Sequence, residues 1–315
     1  MNFVFLMDPL DQVKMEKDTS FILMLASHLR GHKIYYLPQG GMFSACGQIG
    51  FHVQHVIPED NKERPFLLHD HCVLTADQVD ALFIRTDPPF NEQYLFDTWM
   101  CDLLKTKTFV MNNPNGIRCV NEKLWATQFV DLVPPTYVGR NSADLLSFLM
   151  EYETVIAKPT NGFGGQGVFK IKQGDDNTNV IFEALTQNGC CDIIVQQYIP
   201  EAHQGDKRIL LLNGDPLGAV LRVHGDDDHR NNFFSGGKPA ATTITARDQE
   251  IIDVLKPHLQ RLGLYFVGID IIGDYLIEVN VTSPTCLQEM NRLNEASLEE
   301  NVIDFVEEQI LIINR

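Results

Sequence analysis

Short apolar runs alternate with helix-like stretches through the first third of the chain. Residues 3 to 7 read as a buried strand that ends at Asp8-Pro9. Asp18, Thr19 and Ser20 are capable N-caps for an amphipathic helix that carries Phe21, Ile22, Leu25, Ala26 and Leu29 and stops at Gly31. Ile34-Tyr35-Tyr36-Leu37 follows as a strand, so the chain opens β-α-β, the start of a parallel α/β lobe. Residues 38 to 78 are weakly patterned and read as short strands and loops, with His69 and His71 in a polar loop rather than at a metal. The sheet resumes at Ala81-Leu82-Phe83-Ile84 and runs into Arg85-Thr86-Asp87-Pro88-Pro89-Phe90. Charges at the C-terminal end of a strand suit the crevice where open α/β sheets bind ligands; an Arg85–Asp87 surface pair is the alternative. A helix from about Glu92 to Lys105, a strand Phe109-Val110-Met111 and a helix opening at Asn121-Glu122-Lys123 come next.

Further on, the strands Thr154 to Pro159 and Val168 to Ile171 flank Gly162-Phe163-Gly164-Gly165-Gln166-Gly167. That loop spells G-x-G-x-x-G, but a dinucleotide site needs a helix after the glycines, and a β-branched run follows instead. A glycine loop between two strands makes a flap whose backbone N–H groups can lie over phosphates. Protein kinases use this device, yet neither H-R-D nor D-F-G occurs downstream. A helix from about Thr178 to Gln187, a strand Ile193 to Ile199 and a hairpin turning at Asn213-Gly214-Asp215 are expected next. The polar loop His224 to Ala240 is long for a compact domain, so it is functional or disordered. A helix from about Asp248 to Leu262 and a last one carrying Leu298, Val302, Phe305 and Val306 complete the pattern. Breaks near Pro114 to Asn121 and at Ile199-Pro200 divide the chain into 1–120, 121–200 and 201–315.

Phe266 to Val281 is a hairpin with turn chemistry at Gly273-Asp274. With a two-residue loop, Ile277 faces Asp270 and both faces are mixed. With Tyr275 inside the loop, Asp270 faces Glu278 and Gly268 faces Asn280, while Val267, Ile269, Ile271, Ile277, Val279 and Val281 make a purely apolar reverse. A buried face specifies its own register, so the odd loop is expected. It gathers two carboxylates and an amide oxygen, hard ligands suited to Mg2+ or Mn2+.

Composition narrows the classes. The 315 residues are 44% hydrophobic and 21% charged, ordinary for a globular protein. No apolar run approaches the roughly 20 residues of a membrane span, so the cytoplasm is the expected location. Seven cysteines without CxxC pairs, Cys190 and Cys191 adjacent, read as reduced thiols. A net charge of −17 argues against a nucleic-acid partner and means that any bound polyphosphate must be met by a local group of cations.

Lys123, Lys158-Pro159, the strand–glycine loop–strand, a Gln/Tyr strand and Asp270…Glu278-x-Asn280 stand in the order of the ATP-grasp ligases. Asp8-Pro9, Lys17-Asp18-Thr19-Ser20-Phe21, Arg85 to Phe90, Asn121 to Leu124, Gly205-Asp206-Lys207-Arg208 and Phe266 to Cys286 resemble the bacterial glutathione synthetases over nearly the whole chain. Asn161, Phe163 and Asn231 depart from that pattern. The resemblance implies an ATP-grasp fold: an N-terminal parallel α/β lobe, a small lid lobe and a C-terminal α+β lobe. It implies that ATP is bound by Lys123, Lys158, Gly162, Gly164, Gly165, Gly167, Asp206 and an adenine edge of Gln196, Gln197, Tyr198 and Ile199. Asp270, Glu278 and Asn280 would hold magnesium. Arg208, Arg222, Arg230 and Asn232 would face the transferred phosphate and the peptide. The implied reaction joins γ-glutamylcysteine to glycine with ATP cleaved to ADP and phosphate, in a homo-oligomer, tetramer or dimer.

Overall fold

A computed structural model describes residues 1–104, 108–162, 164–223 and 237–314. Its first sheet has β1 (Asn2–Leu6), β2 (Lys33–Leu37), β3 (Met42–Ala45), β4 (Gln48–Pro58), β5 (Phe66–Thr75), β6 (Ala81–Ile84) and β7 (Phe109–Met111). β2, β1, β6 and β7 are parallel neighbours, as the opening β-α-β pattern requires, and β3, β4 and β5 add an antiparallel edge. His69 and His71 lie on strand β5 rather than in a loop, and both are exposed. Helix α1 (Thr19–Leu29) is capped by Asp18, whose carboxylate accepts from Phe21 N at 2.8 Å. Helices α2 (Glu92–Asp102) and α3 (Pro114–Cys119) are capped by Asn91 and Asn113.

The second sheet is antiparallel, ordered β10 (Phe169–Lys172), β9 (Thr154–Pro159), β11 (Ile193–Gln197), β8 (Thr136–Gly139), with α4 (Ser142–Tyr152) and α5 (Thr178–Leu185) packed on it. It has its own core around Leu145, Val155, Phe182 and Val195.

The third sheet runs β14 (Lys238–Ala240), β13 (Asp215–Val223), β12 (Asp206–Leu212), β15 (Phe266–Ile272), β16 (Tyr275–Asn280), all antiparallel. Helices α6 (Ala246–Leu262), α7 (Leu287–Asn294) and α8 (Leu298–Ile313) belong to this half of the chain. Two shared cores join the first and third sheets; one holds Val4, Leu82, Ile209 and Ile269 together. Asn112 fastens that junction: its amide donates to the carbonyls of Phe266 (2.8 Å) and Val281 (2.9 Å) and accepts from Phe266 N (2.8 Å). α8 returns to the first half and packs on α1 and β7, where Arg30 reaches Glu300, Asp304 and Glu307. All seven cysteines are free thiols, and among the described residues no helix is long and apolar enough to cross a membrane.

Candidate active site between two sheets

A cavity of about 280 Å³ opens with the third sheet as its floor, the second sheet and glycine loop as its roof, and the end of β6 and residues 122–123 on its wall. The β15–β16 hairpin sets the floor. Gly268 pairs with Asn280, Ile269 with Val279 and Asp270 with Glu278; the register then shifts so that Ile271 pairs with Leu276 and Ile272 with Tyr275. The acid-bearing face is the one expected, but its cause differs. The turn is the two residues Gly273-Asp274, Tyr275 stays in the ladder, and a bulge at Ile277 absorbs the odd residue. Leu276, fully buried, takes the core slot expected of Ile277, while Ile277 lines the cavity.

Strand pairing places Arg208 opposite Asp270 and Arg222 opposite Asp206. Arg208 grips Asp270 with two N–H groups, Nη2 to Oδ2 at 2.8 Å. Arg222 grips Asp206 the same way, Nε to Oδ1 at 2.9 Å, and its Nη2 also stands 3.0 Å from Asp270 Oδ2. All four are buried. Burial raises a carboxyl, but at Asp270 two guanidiniums outweigh it and hold the group well below the usual range. Asp206 is pushed up instead: burial dominates and the Asp270 charge adds to it, while Arg222 and Arg208 only partly offset them. Gly268 makes the arrangement possible, because a Cβ there would sit 3.1 Å from Pro284 and 3.2 Å from the Arg208 side chain. Asn280 donates to Gly268 O (3.3 Å) and Asp270 Oδ2 (3.4 Å).

Lys123 sits in an irregular strap, not in the expected helix; only a short 3₁₀ turn, Trp125–Gln128, forms there. Asn121 Oδ1 organises the strap by accepting from Lys123 N (3.2 Å) and Leu124 N (2.9 Å). From it Lys123 Nζ reaches the Gly162 carbonyl and Glu278 Oε1, the latter at 3.2 Å. Lys158 on β9 is 5% exposed. Loss of hydration pushes its ammonium down to about 8, against the pull of Glu278. Glu122, which sequence reasoning missed, lines the same wall. Its Oε1 accepts from Val281 N (2.8 Å), Thr282 N (3.0 Å) and Thr282 Oγ1 (2.8 Å), clamping the strap to the end of β16. Burial and the neighbouring Glu278 push this carboxyl up.

Gly162, Gly164 and Gly165 line the roof; Gly167 does not and packs on Pro159. Gly162 cannot be replaced cheaply, since a Cβ there would lie 2.9 Å from the Pro159 ring and 3.1 Å from the Gln166 carbonyl. Gln196, Gln197, Tyr198 and Ile199 form one edge, with apolar Ile156 and Val168 beside them. Arg230, Asn232, Phe163 and the start of the polar loop at His224 lie outside the described residues. Arg85 and Asp87 do not form an ion pair in the described residues: Arg85 is buried and donates to Ser20 Oγ (3.0 Å) and the Pro284 carbonyl (2.9 Å), while Asp87 lines the cavity. Among the described residues no three His, Cys, Asp or Glu side chains cluster as a metal site. The candidate metal set is two carboxylates and one amide, with Asp270 already engaged by arginines.

Residues 1–118 match the family model described as prokaryotic glutathione synthetase, N-terminal domain, and residues 122–295 that described as prokaryotic glutathione synthetase, ATP-grasp domain. The glutathione synthetase of a Synechocystis species is 40% identical over 319 residues, covering 98% of this chain and 100% of the relative. That of Pseudomonas aeruginosa is 35% identical over 306 residues, 96% of each. Among solved structures, the D-cycloserine synthetase DcsG aligns with a TM-score of 0.67 at 14% identity, covering 96% of this chain and 99% of its own. The ATP-grasp ligase PsnB, solved with a phosphomimetic variant of its minimal precursor, Mg and ADP, aligns at 0.62 with 14% identity over 98% of both chains. At such identity these structures show the fold alone. The sequence matches go further: the chain belongs to the prokaryotic glutathione synthetase family.

Proposed function

We propose that this protein joins γ-L-glutamyl-L-cysteine to glycine, cleaving ATP to ADP and phosphate. The observation that carries the reading is the convergence of Lys123, Lys158, Arg208 and Arg222 on one cavity beneath a glycine loop, in a chain of net charge −17. A local positive focus against an acidic background suits a polyphosphate.

A carboxylate is a poor electrophile, so the cysteinyl carboxylate first accepts the γ-phosphoryl group of ATP. The glycine amine then attacks the acyl phosphate, and a tetrahedral intermediate expels phosphate. Lys123 and Lys158 meet the phosphates of ATP. Arg208 and Arg222, held in fixed orientation by Asp270 and Asp206, spread the charge of the transferring oxygens. Asp270, Glu278 and Asn280 offer only hard oxygens on one face, a donor set that fits Mg2+ or Mn2+. The ion, when bound, neutralises charge on the phosphoryl oxygens. The glycine loop, closed over the phosphates, keeps water from the acyl phosphate. Gln196, Gln197, Tyr198 and Ile199 take the adenine. The units 1–120, 121–200 and 201–315 act as substrate-binding lobe, lid and catalytic lobe of a cytoplasmic homo-oligomer, a tetramer or dimer.

A coupled ADP assay with each substrate omitted in turn tests the reading. ADP release is expected to require both γ-glutamylcysteine and glycine. Turnover with another acid and amine, and none with this pair, would overturn it.

A further inference from the structure

Five carboxylates line the cavity: Asp87, Glu122, Asp206, Asp270 and Glu278. Four are answered within the fold. Asp206 and Asp270 hold arginines, Glu278 faces Lys123, and Glu122 accepts two backbone N–H groups and a hydroxyl. Asp87 differs. Among the described residues it has no ion-pair partner, only a hydrogen bond with the Ser283 side chain. Arg85, two positions earlier, turns its Nε and Nη2 away to Ser20 and Pro284. The Arg85 charge still pulls on Asp87 from a distance, while Asp8, which accepts from Asp87 N at 2.7 Å, and Asp18 oppose it with like charge. Asp87 thus stands on the cavity wall with no cation in direct contact, a place that the positive group of a ligand can take.

Its place says which ligand. Ser283 precedes Pro284, whose ring packs above Gly268 beside the Arg208 side chain. Asp87 therefore stands one loop away from the guanidinium that faces the reacting carboxylate. On the reading above, two reactants carry ammonium groups. The γ-glutamyl ammonium lies most of a dipeptide's length from the carboxylate that becomes phosphorylated, whereas the acceptor's nitrogen must touch that carbon. We propose that Asp87 receives the ammonium of the acceptor amino acid and takes its proton as the amine attacks.

The step balances. One N–H proton passes to the Asp87 carboxylate, and the freed lone pair forms the C–N bond. The C–O bond to phosphate breaks with its electrons leaving on phosphate, which takes the second nitrogen proton; Asp87 then returns its own to water. Asp87 is open to solvent through the cavity mouth but backed by protein. Its reduced hydration pushes the carboxyl up, towards easier proton uptake.

The test compares glycine with hydroxylamine, an acceptor that is uncharged at neutral pH and needs no such partner. In Asp87→Asn, kcat/KM for glycine should fall about 100-fold or more, while hydroxamate formation and the KM values for ATP and γ-glutamylcysteine stay within about threefold. Equal losses with both acceptors would overturn the inference, as would a rise in the KM of γ-glutamylcysteine with that of glycine unchanged. If Asp87→Asn does not fold, Asp87→Glu serves: it keeps the charge but moves it, and should shift glycine kinetics alone. A wild-type enzyme inactive with glycine would instead sink the proposed function and leave the two failures distinguishable.

Discussion

The Lys123 ammonium stands 3.2 Å from Glu278 and donates at the same time to the Gly162 carbonyl, so one cation joins the strap, the glycine loop and the floor. Glu278 is thus held by the protein's own contacts, on the face it shares with Asp270 and Asn280. It can be neutralised without disturbing the core.

Glu278→Gln should lower turnover with Mg2+ by about 100-fold or more, the scale of losing one preorganised charge-stabilising group. Its melting temperature should fall less than that of Asp270→Asn, because Glu278 is 20% exposed whereas Asp270 is 7% exposed. ADP release and a thermal melt check both halves; a near-wild-type rate would contradict the metal assignment.

Asp270 is bound by two buried guanidiniums, so Asp270→Asn should cost about 3–5 kcal/mol by leaving cations uncompensated. The pH dependence follows from direction. The folded carboxyl lies below the ordinary value of about 3.9, so its stabilisation is whole above that pH and drains away as pH falls towards the folded value. Urea unfolding at neutral pH and below about pH 4 should show the variant weaker at neutrality and less acid-sensitive than wild type. Parallel curves would contradict this.

Lys158, pushed down to about 8, is charged below that pH and neutral above it. kcat/KM for ATP should therefore decline as pH rises through about 8. Lys158→Arg, charged throughout, should remove that limb even if its absolute rate is lower. A basic limb that persists unchanged in the arginine variant would assign it to another group.

Leu276 and Ile277 are neighbours with opposite duties. Leu276→Ala should cost about 2–5 kcal/mol as a large-to-small change in a packed core. Ile277→Ala should leave the melting temperature nearly intact and raise the KM of ATP. A cost shared equally between them would deny the bulge.

Much of this was legible. An apolar reverse face makes the pairing of Asp270 with Glu278 readable in the sequence, although alternation alone puts Ile277 in the place of Leu276 because a bulge leaves no mark in it. The long hairpin β4–β5 was not legible: β5 is an edge strand whose central residues, His69 to Val73, are all exposed, so it shows no apolar stripe. Helix α4 carries a signal of its own in the sequence, since Asn141 caps it and Leu145 and Leu149 mark its buried side. Glu122 was beyond reach. It falls inside the Asn121 to Leu124 motif, but its backbone partner Val281 lies 159 residues further along, so the motif alone does not reveal the clamp.

Helix α8 lies across α1, with Ile303, Val306 and Ile310 in one core with Phe21, Met24 and Phe109. During synthesis that outer layer stays uncovered until residues near 310 have left the ribosome. An N-terminal half expressed by itself would thus display a greasy, unclosed flank, and adding α8 back as a separate peptide is the direct way to shield it.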